Sequence, residues 1–144
     1  MTRYALVVDD TPTNRDFLER LLTQAGFEVR GAGSGREALE LCAALPELKL
    51  AVVDMKLPDM NGLSLTYALR KQYENAYIVV ATMYDERSLM ESVYAKGGNC
   101  FLVKPHGFMD LYRRLTTMDL RELCREDFMV IDQYGPRSFI PAST

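Results

Sequence analysis

The stretch Leu50-Ala51-Val52-Val53-Asp54 is a wholly apolar run that ends abruptly on a carboxylate. A strand with one wet face alternates apolar and polar residues, whereas an unbroken run indicates burial on both faces, as in a parallel sheet covered by helices. Residues 4–8 form a second such run, and they too stop at aspartates, Asp9 and Asp10. The two runs predict central strands of an α/β sheet whose carboxyl ends carry acidic side chains.

Further strands and helices alternate outward from this stretch. We predict strands over residues 4–8, 27–32, 50–53, 77–81 and 100–103, and helices over 14–25, 34–45, 63–72, 85–96 and 107–117. Ser34 and Glu37 form the capping box of the second helix, and Asp85 is the predicted cap of the fourth. Right-handed crossovers then favour a flavodoxin-like doubly wound parallel sheet of order 2-1-3-4-5, with helices on both faces. We expect this domain to span residues 1–118.

Residues 119–144 form a C-terminal tail. It holds an apolar run over residues 128–131, followed by a turn signal at Tyr134-Gly135-Pro136. One interpretation is a partly ordered extension; the other is a strand added to a sheet edge, on this chain or on a partner. The tail is too short for a helix-turn-helix, so we expect no DNA-binding output domain in this chain.

Composition narrows the class of protein further. The 144 residues carry a net charge of -3, which argues against a nucleic-acid partner. No apolar run approaches the roughly 20 residues needed to span a bilayer, and the first residues lack the form of a secretion signal. Cys42, Cys100 and Cys124 lie among apolar neighbours, so we expect buried free thiols. These features predict a cytoplasmic protein with no membrane partner.

The residues just past the strands carry the chemistry. Asp9, Asp10, Asp54, Thr82 and Lys104 each follow or end a predicted strand, and the ligand site of a doubly wound sheet lies at that carboxyl edge. Three carboxylates at one edge repel each other, and a hard divalent cation such as Mg²⁺ relieves this. Lys104 supplies positive charge and Thr82 a hydroxyl donor. The set predicts in-line phosphoryl transfer to Asp54.

Plainer interpretations exist for the individual residues. Asp9 and Asp10 are compatible with an ordinary helix start, capped by Asp10 or Thr13. Thr82 is compatible with an ordinary strand-end hydroxyl and Lys104 with a surface lysine. The combination of all the strand ends favours the functional interpretation.

The same residues carry a resemblance to a known family. Val7-Val8-Asp9-Asp10, the run from Val53 to Gly62, Ala81-Thr82 and Phe101-Leu102-Val103-Lys104-Pro105 stand in the order typical of a receiver domain. Over about its first 118 residues the chain resembles the receiver domain of two-component response regulators, in a stand-alone form like a chemotaxis regulator.

The resemblance implies a role for each site residue. Asp10 would bind Mg²⁺ directly and Asp9 through water, with Asp54 and the main-chain carbonyl of Lys56 completing the metal site. Asp54 would be the phosphoacceptor.

Thr82 and Lys104 would hold the phosphoryl oxygens. Phe101 matches the switch aromatic, which turns inward in this family as the threonine hydroxyl moves toward the phosphate. The Lys104-Pro105 bond is often cis in such domains.

Three residues near the site depart from the family pattern or tune it. Met83 stands where a small residue is usual, so we expect its thioether to slow phosphorylation by small donors. Lys56 and Tyr84 occupy positions that influence the attacking water, so we expect an altered lifetime of the phosphorylated state.

The leading functional hypothesis is a phosphorelay switch and not a turnover enzyme. The implied partners are a histidine kinase or phosphotransfer protein and a downstream protein target at the face of the fourth helix, last strand and last helix; a homodimer is also compatible. An alternative is a haloacid-dehalogenase-like phosphatase, but Lys56 stands where those enzymes place their general acid. A second alternative is a scaffold that binds partners without phosphorylation.

Overall fold

The computed structural model describes residues 2–140. The strands are β1 Tyr4–Val8, β2 Glu28–Ala32, β3 Leu50–Asp54, β4 Tyr77–Thr82, β5 Cys100–Val103, β6 Met129–Asp132 and β7 Gly135–Ser138. The helices are α1 Pro12–Gln24, α2 Gly35–Ala43, α3 Gly62–Gln72, α4 Arg87–Ala95, α5 Gly107–Thr117 and α6 Leu120–Arg125.

All seven strands belong to one sheet of order β2-β1-β3-β4-β5-β6-β7. The first five are parallel and stand in the predicted order, which confirms the doubly wound fold. Every residue of β3 and β4 is buried, because helices cover both faces of the sheet. The sheet is larger than the five strands predicted, since the C-terminal extension adds two.

The extension is the part of the fold that the sequence left open. Helix α6 begins with a capping box between Asp119 and Glu122. Strand β6 then pairs in parallel with β5, and β7 returns antiparallel to β6. Of the two interpretations of the tail, the structure therefore shows the added strand, on the chain's own sheet. Residues 141–144 of that tail lie outside the described residues.

The sequence predicted the N-terminal cap of α2 better than that of α4. The Ser34 hydroxyl accepts a hydrogen bond from the Glu37 N–H at 3.1 Å, which confirms the cap. The Glu37 carboxylate accepts from the Gly33 N–H at 3.4 Å and not from that of Ser34, so the capping box is only half formed. The predicted cap at Asp85 is wrong: α4 is preceded by Glu86, whose side chain makes no capping hydrogen bond. The extended backbone at Glu86 (φ −72°, ψ 134°) delays the helix by one residue.

The expectation of three buried thiols holds for two. Cys42 and Cys100 are buried, but Cys124 is exposed, because α6 directs the neighbouring Leu123 into the core instead. Within residues 2–140, no helix has both the length and the apolar character needed to span a bilayer.

Candidate functional site

Three carboxylates meet at the carboxyl edge of the sheet. β1 and β3 pair in parallel with Val8 opposite Val53, so Asp9 and Asp54 emerge side by side. One carboxylate oxygen each from Asp9, Asp10 and Asp54 lie within 4.8 Å of one another. Asp9 and Asp54 are buried, at 2% and 9% exposure, whereas Asp10 is exposed. The pairing of the two strands therefore creates the acidic cluster that the sequence predicts.

Lys104 reaches this cluster from the end of β5. Its Nζ lies 3.1 Å from Asp54 Oδ1 and 3.4 Å from Asp9 Oδ2. The Lys104 side chain is only 8% exposed, which rules out the surface-lysine interpretation. Its backbone N–H donates to the Thr82 carbonyl at 2.7 Å, and the Lys104-Pro105 peptide is cis.

One ammonium group does not balance three carboxylates. Oxygen ligands of this kind, partly open to water, suit a hard divalent cation, and Mg²⁺ keeps several waters when it binds to one or two carboxylates and a phosphate. The donor set therefore fits Mg²⁺, with exposed Asp10 as the ligand that water can reach.

The Asp54 carboxyl is electrostatically perturbed. Burial raises its pKa above the ordinary aspartate value, while the charge and hydrogen bond of Lys104 lower it and the charge of Asp9 raises it again. Without a divalent cation, a charged Asp54 is thus unfavourable in the folded protein.

A stability prediction follows for the metal-free protein. Asp54 has a folded pKa above its unfolded pKa, so its contribution to stability is present at low pH and is lost as pH rises through the folded value. We expect Asp54→Asn to raise the urea midpoint at pH 7, with a gain that shrinks as the pH falls toward about 4, the usual aspartate range. Urea titrations in chelator at several pH values measure this gain. A gain that is equal at every pH would contradict the prediction.

The residues beside Asp9 show why the ordinary helix-start interpretation fails. The residue before α1 is Thr11, and it makes no side-chain cap. Instead the Asp9 carboxylate accepts from the Thr11 N–H at 2.9 Å, and the Asp9 carbonyl accepts from Arg15 Nη1 at 2.7 Å. These contacts orient Asp9 into the acidic cluster. The sequence carried no clear signal for the role of Arg15.

The loop after Asp54 is held by contacts that the sequence does not predict. Asp59 accepts from the backbone N–H groups of Gly35 and Arg36 at 2.9 and 2.8 Å, which ties this loop to the start of α2. Gly62 is required where the loop ends, because a Cβ there would lie 2.4 Å from the Asp54 carbonyl oxygen. The only available signal was the position of Asp59 in the motif that carried the resemblance.

Thr82 and Phe101 lie on neighbouring strands. Thr82 is buried at the end of β4, and its Oγ1 accepts from the Tyr84 N–H at 3.3 Å. Phe101 is completely buried, at 0% exposure. Its ring lies in a hydrophobic cluster with Val80 and Met90.

Met83, Tyr84 and Lys56 lie in the loops that follow β4 and β3. Met83 is 68% exposed and Tyr84 52%, and the Lys56 Nζ lies 5.6 Å from the centre of the Tyr84 ring. These side chains extend into solvent beside the site, where an incoming phosphodonor can meet them.

A cavity of about 630 Å³ lies at the opposite, amino-terminal edge of the sheet, among residues that precede β3, β4 and β5, such as Lys49, Ala76 and Asn99. We assign the chemistry to the acidic edge, because the carboxylates, Lys104 and Thr82 are there.

The fold and the site together define a class: a doubly wound α/β protein with an acidic, lysine-paired site at the carboxyl edge of its sheet. The family model of the response regulator receiver domain matches residues 5–116. The chain therefore belongs to the response regulator receiver domain family. Domains of this family bind Mg²⁺ at their acidic pocket and act as signalling switches.

Known relatives agree with this assignment. The chain is 34% identical over 108 residues to the chemotaxis protein CheY of Thermotoga maritima, covering 73% of this chain and 88% of that protein. A CheY-like receiver domain from Methanospirillum hungatei superimposes with a TM-score of 0.76 at 26% identity, covering 85% and 97% of the two chains.

A further solved structure bears on the chemistry. A response regulator protein from Burkholderia pseudomallei, with a phosphorylated aspartic acid, a calcium ion and citrate, superimposes with a TM-score of 0.72 at 28% identity. The match covers 84% of this chain and 70% of that one.

Proposed function

We propose that this chain is a phosphorylation switch in which Asp54 is the phosphoacceptor. The observation that carries the proposal is the meeting of Asp9, Asp10 and Asp54 within 4.8 Å, with Lys104 Nζ 3.1 Å from Asp54. An Asp54 carboxylate oxygen would attack the phosphorus of a donor, and the leaving group would depart with its bonding electron pair. The product is an aspartyl phosphate.

The chain's own residues would stabilise this transfer. Asp9, Asp10, Asp54 and the Lys56 carbonyl would hold Mg²⁺, which neutralises charge on the transferring phosphoryl group. Lys104 would pair with one phosphoryl oxygen, and the Thr82 hydroxyl would donate to another. Because the Lys104 Nζ already lies 3.1 Å from Asp54 Oδ1, this charge needs little reorganisation during transfer.

Receiver domains interact with kinases or phosphotransfer proteins and with downstream targets. For this chain we propose a histidine kinase or phosphotransfer protein as donor, and Thr82 and Phe101 as the residues that carry the signal from Asp54. Lys56 argues against a phosphatase, because a haloacid-dehalogenase-like enzyme would need a carboxylic acid at this position. The exposed ammonium of Lys56 instead lies over the Tyr84 ring.

Binding of a phosphoryl mimic tests the proposal. We expect beryllofluoride to bind in the presence of Mg²⁺ and to shift the amide NMR signals of Asp54, Thr82 and Phe101. Without Mg²⁺ the shifts should disappear. An unchanged spectrum with both present would favour the scaffold hypothesis and contradict the switch.

Met83 gives a separate prediction about access. We expect Met83→Ala to speed phosphorylation by a small acyl-phosphate donor severalfold, because the exposed thioether beside Thr82 obstructs the donor. The initial rate of aspartyl-phosphate formation measures this. If the rate does not rise, Met83 does not limit access.

A further inference from the structure

The C-terminal hairpin, residues 128–140, covers the edge of β5. Strand β6 pairs with β5 so that Phe101 faces Val130 and Leu102 faces Ile131. The Met129 N–H extends this pairing by donating to the Asn99 carbonyl at 3.2 Å. The hairpin therefore fills the position that a partner would need in order to reach the β5 edge.

The hairpin is also packed against α4. Its aromatic rings share a hydrophobic cluster with residues of that helix and of strands β4 and β5. The buried members of this cluster are Met55, Val80, Met90, Val93, Phe101, Phe128, Val130 and Phe139. The Phe128 ring lies edge-on to Tyr94 of α4 and to Phe139, with centroids 5.6 Å apart in both pairs. Helix α4 and the hairpin therefore form one packed unit.

Arg87 fastens the hairpin to the first turn of α4. Its guanidinium carbon lies 4.7 Å from the centre of the Phe139 ring, and its Nη2 donates to the Ile140 carbonyl at 2.8 Å. Arg87 follows Thr82 after only a short loop. The loop of residues 83–86 thus connects Thr82, at the phosphoacceptor site, to Arg87, which contacts the hairpin.

The hairpin also encloses Phe101. At the edge of a five-stranded sheet this ring would have open space beside it, but β6 fills that space and Val130 lies opposite Phe101 in register. Phe101 is fully buried, and Met90 and Val93 of α4 lie in the same cluster. With the hairpin docked, Phe101 lies in one buried cluster with Phe128 and Val130 of the hairpin.

We propose that the hairpin is a built-in strap whose docking is coupled to occupancy of the Asp54 site through Arg87 and Phe101. The coupling rests on the proposed function, in which an inward Phe101 accompanies the phosphorylated state. The docked hairpin and a phosphoryl group at Asp54 then favour the same arrangement. Because coupling between two sites is reciprocal, loosening the strap weakens binding of a phosphoryl mimic, and the mimic tightens the strap.

Arg87→Ala tests the first half of this coupling. The side chain is exposed, so its removal leaves the core intact. We expect the Mg²⁺-dependent affinity for beryllofluoride to fall about fivefold, at the lower end of typical coupling between sites. Arg87 also pairs with Glu91 one turn away, at 3.6 Å. The matched control is Arg20→Ala on α1, which removes an exposed arginine that pairs with Asp16 one turn away, at 3.1 Å. The control should bind like the wild type.

Hydrogen exchange of the full chain tests the second half. The Met129 and Phe139 amides, which donate to the Asn99 and Phe128 carbonyls, should exchange about fivefold more slowly with Mg²⁺ and beryllofluoride, by the same reciprocity. The proposed coupling would be overturned if Arg87→Ala and Arg20→Ala bound beryllofluoride with equal affinity. It would also be overturned if the exchange of the Met129 and Phe139 amides stayed unchanged while the Asp54 amide signal shifted. If the wild type itself binds no beryllofluoride, the proposed function fails and takes the coupling with it, which separates the two failures.

Discussion

Asp54→Asn is expected to reduce aspartyl-phosphate formation from a small acyl-phosphate donor below detection, a loss of at least about 10²-fold. The amide keeps the shape of the side chain but lacks the nucleophilic oxygen. Neither remaining carboxylate has the same position, because Asp9 is held by the Thr11 N–H and Asp10 is exposed. A gel that retards phosphorylated protein, run on wild type and variant with Mg²⁺ present, measures the loss.

The matched control is Asp85→Asn, which changes a different aspartate, in the loop after β4. Asp85 is exposed and lies outside the acidic cluster, so its variant should be phosphorylated at the wild-type rate. Undiminished phosphorylation of the Asp54 variant would show that another residue is the acceptor. An equal loss in both variants would point to a nonspecific charge effect.

Lys104→Met is expected to lower the free energy of unfolding of the metal-free protein by about 3 kcal/mol, as is typical when one partner of a buried ion pair is removed. Asp9 and Asp54 lie 3.4 and 3.1 Å from the Lys104 Nζ and are both buried. Without the lysine, the two carboxylates lose the ion-pair partner that they share. Urea unfolding in chelator measures the free energy of unfolding of wild type and variant.

Mg²⁺ should stabilise the Lys104 variant more than the wild type. The site of the variant carries one more net negative charge, so it binds the cation more tightly, and a ligand that binds only the folded state adds stability with its affinity. Lys96→Met, at an exposed position after α4, should stay within about 0.5 kcal/mol of wild type in both conditions. A stable Lys104 variant in chelator, or equal Mg²⁺ effects on both proteins, would contradict the electrostatic account.

The acidic site was predictable because it depends on strand ends. Apolar runs that stop at Asp9 and Asp54 predict buried parallel strands, and parallel strands bring their carboxyl ends to one edge. Lys104 follows from the same logic. The meeting of Asp9, Asp54 and Lys104 needs no information beyond the order of the strands.

Features that depend on distant pairing were not predictable in the same way. The run at 128–131 predicts a strand, but nothing in it says whether β5 or another chain is its neighbour. The bonds from Gly35 and Arg36 to Asp59 join positions far apart in sequence. Cys124 was misjudged because helical phase, and not local apolarity, decides that Leu123 faces the core.

Locating the phosphoryl group by peptide mass spectrometry tests the central claim most directly. The wild-type protein would be incubated with Mg²⁺ and an acyl-phosphate donor, digested at low temperature and mapped. We predict one acid-stable, base-labile phosphoryl group, carried on Asp54. A phosphoryl group on any other residue, or none on Asp54 under conditions where Mg²⁺ measurably binds, would contradict the account.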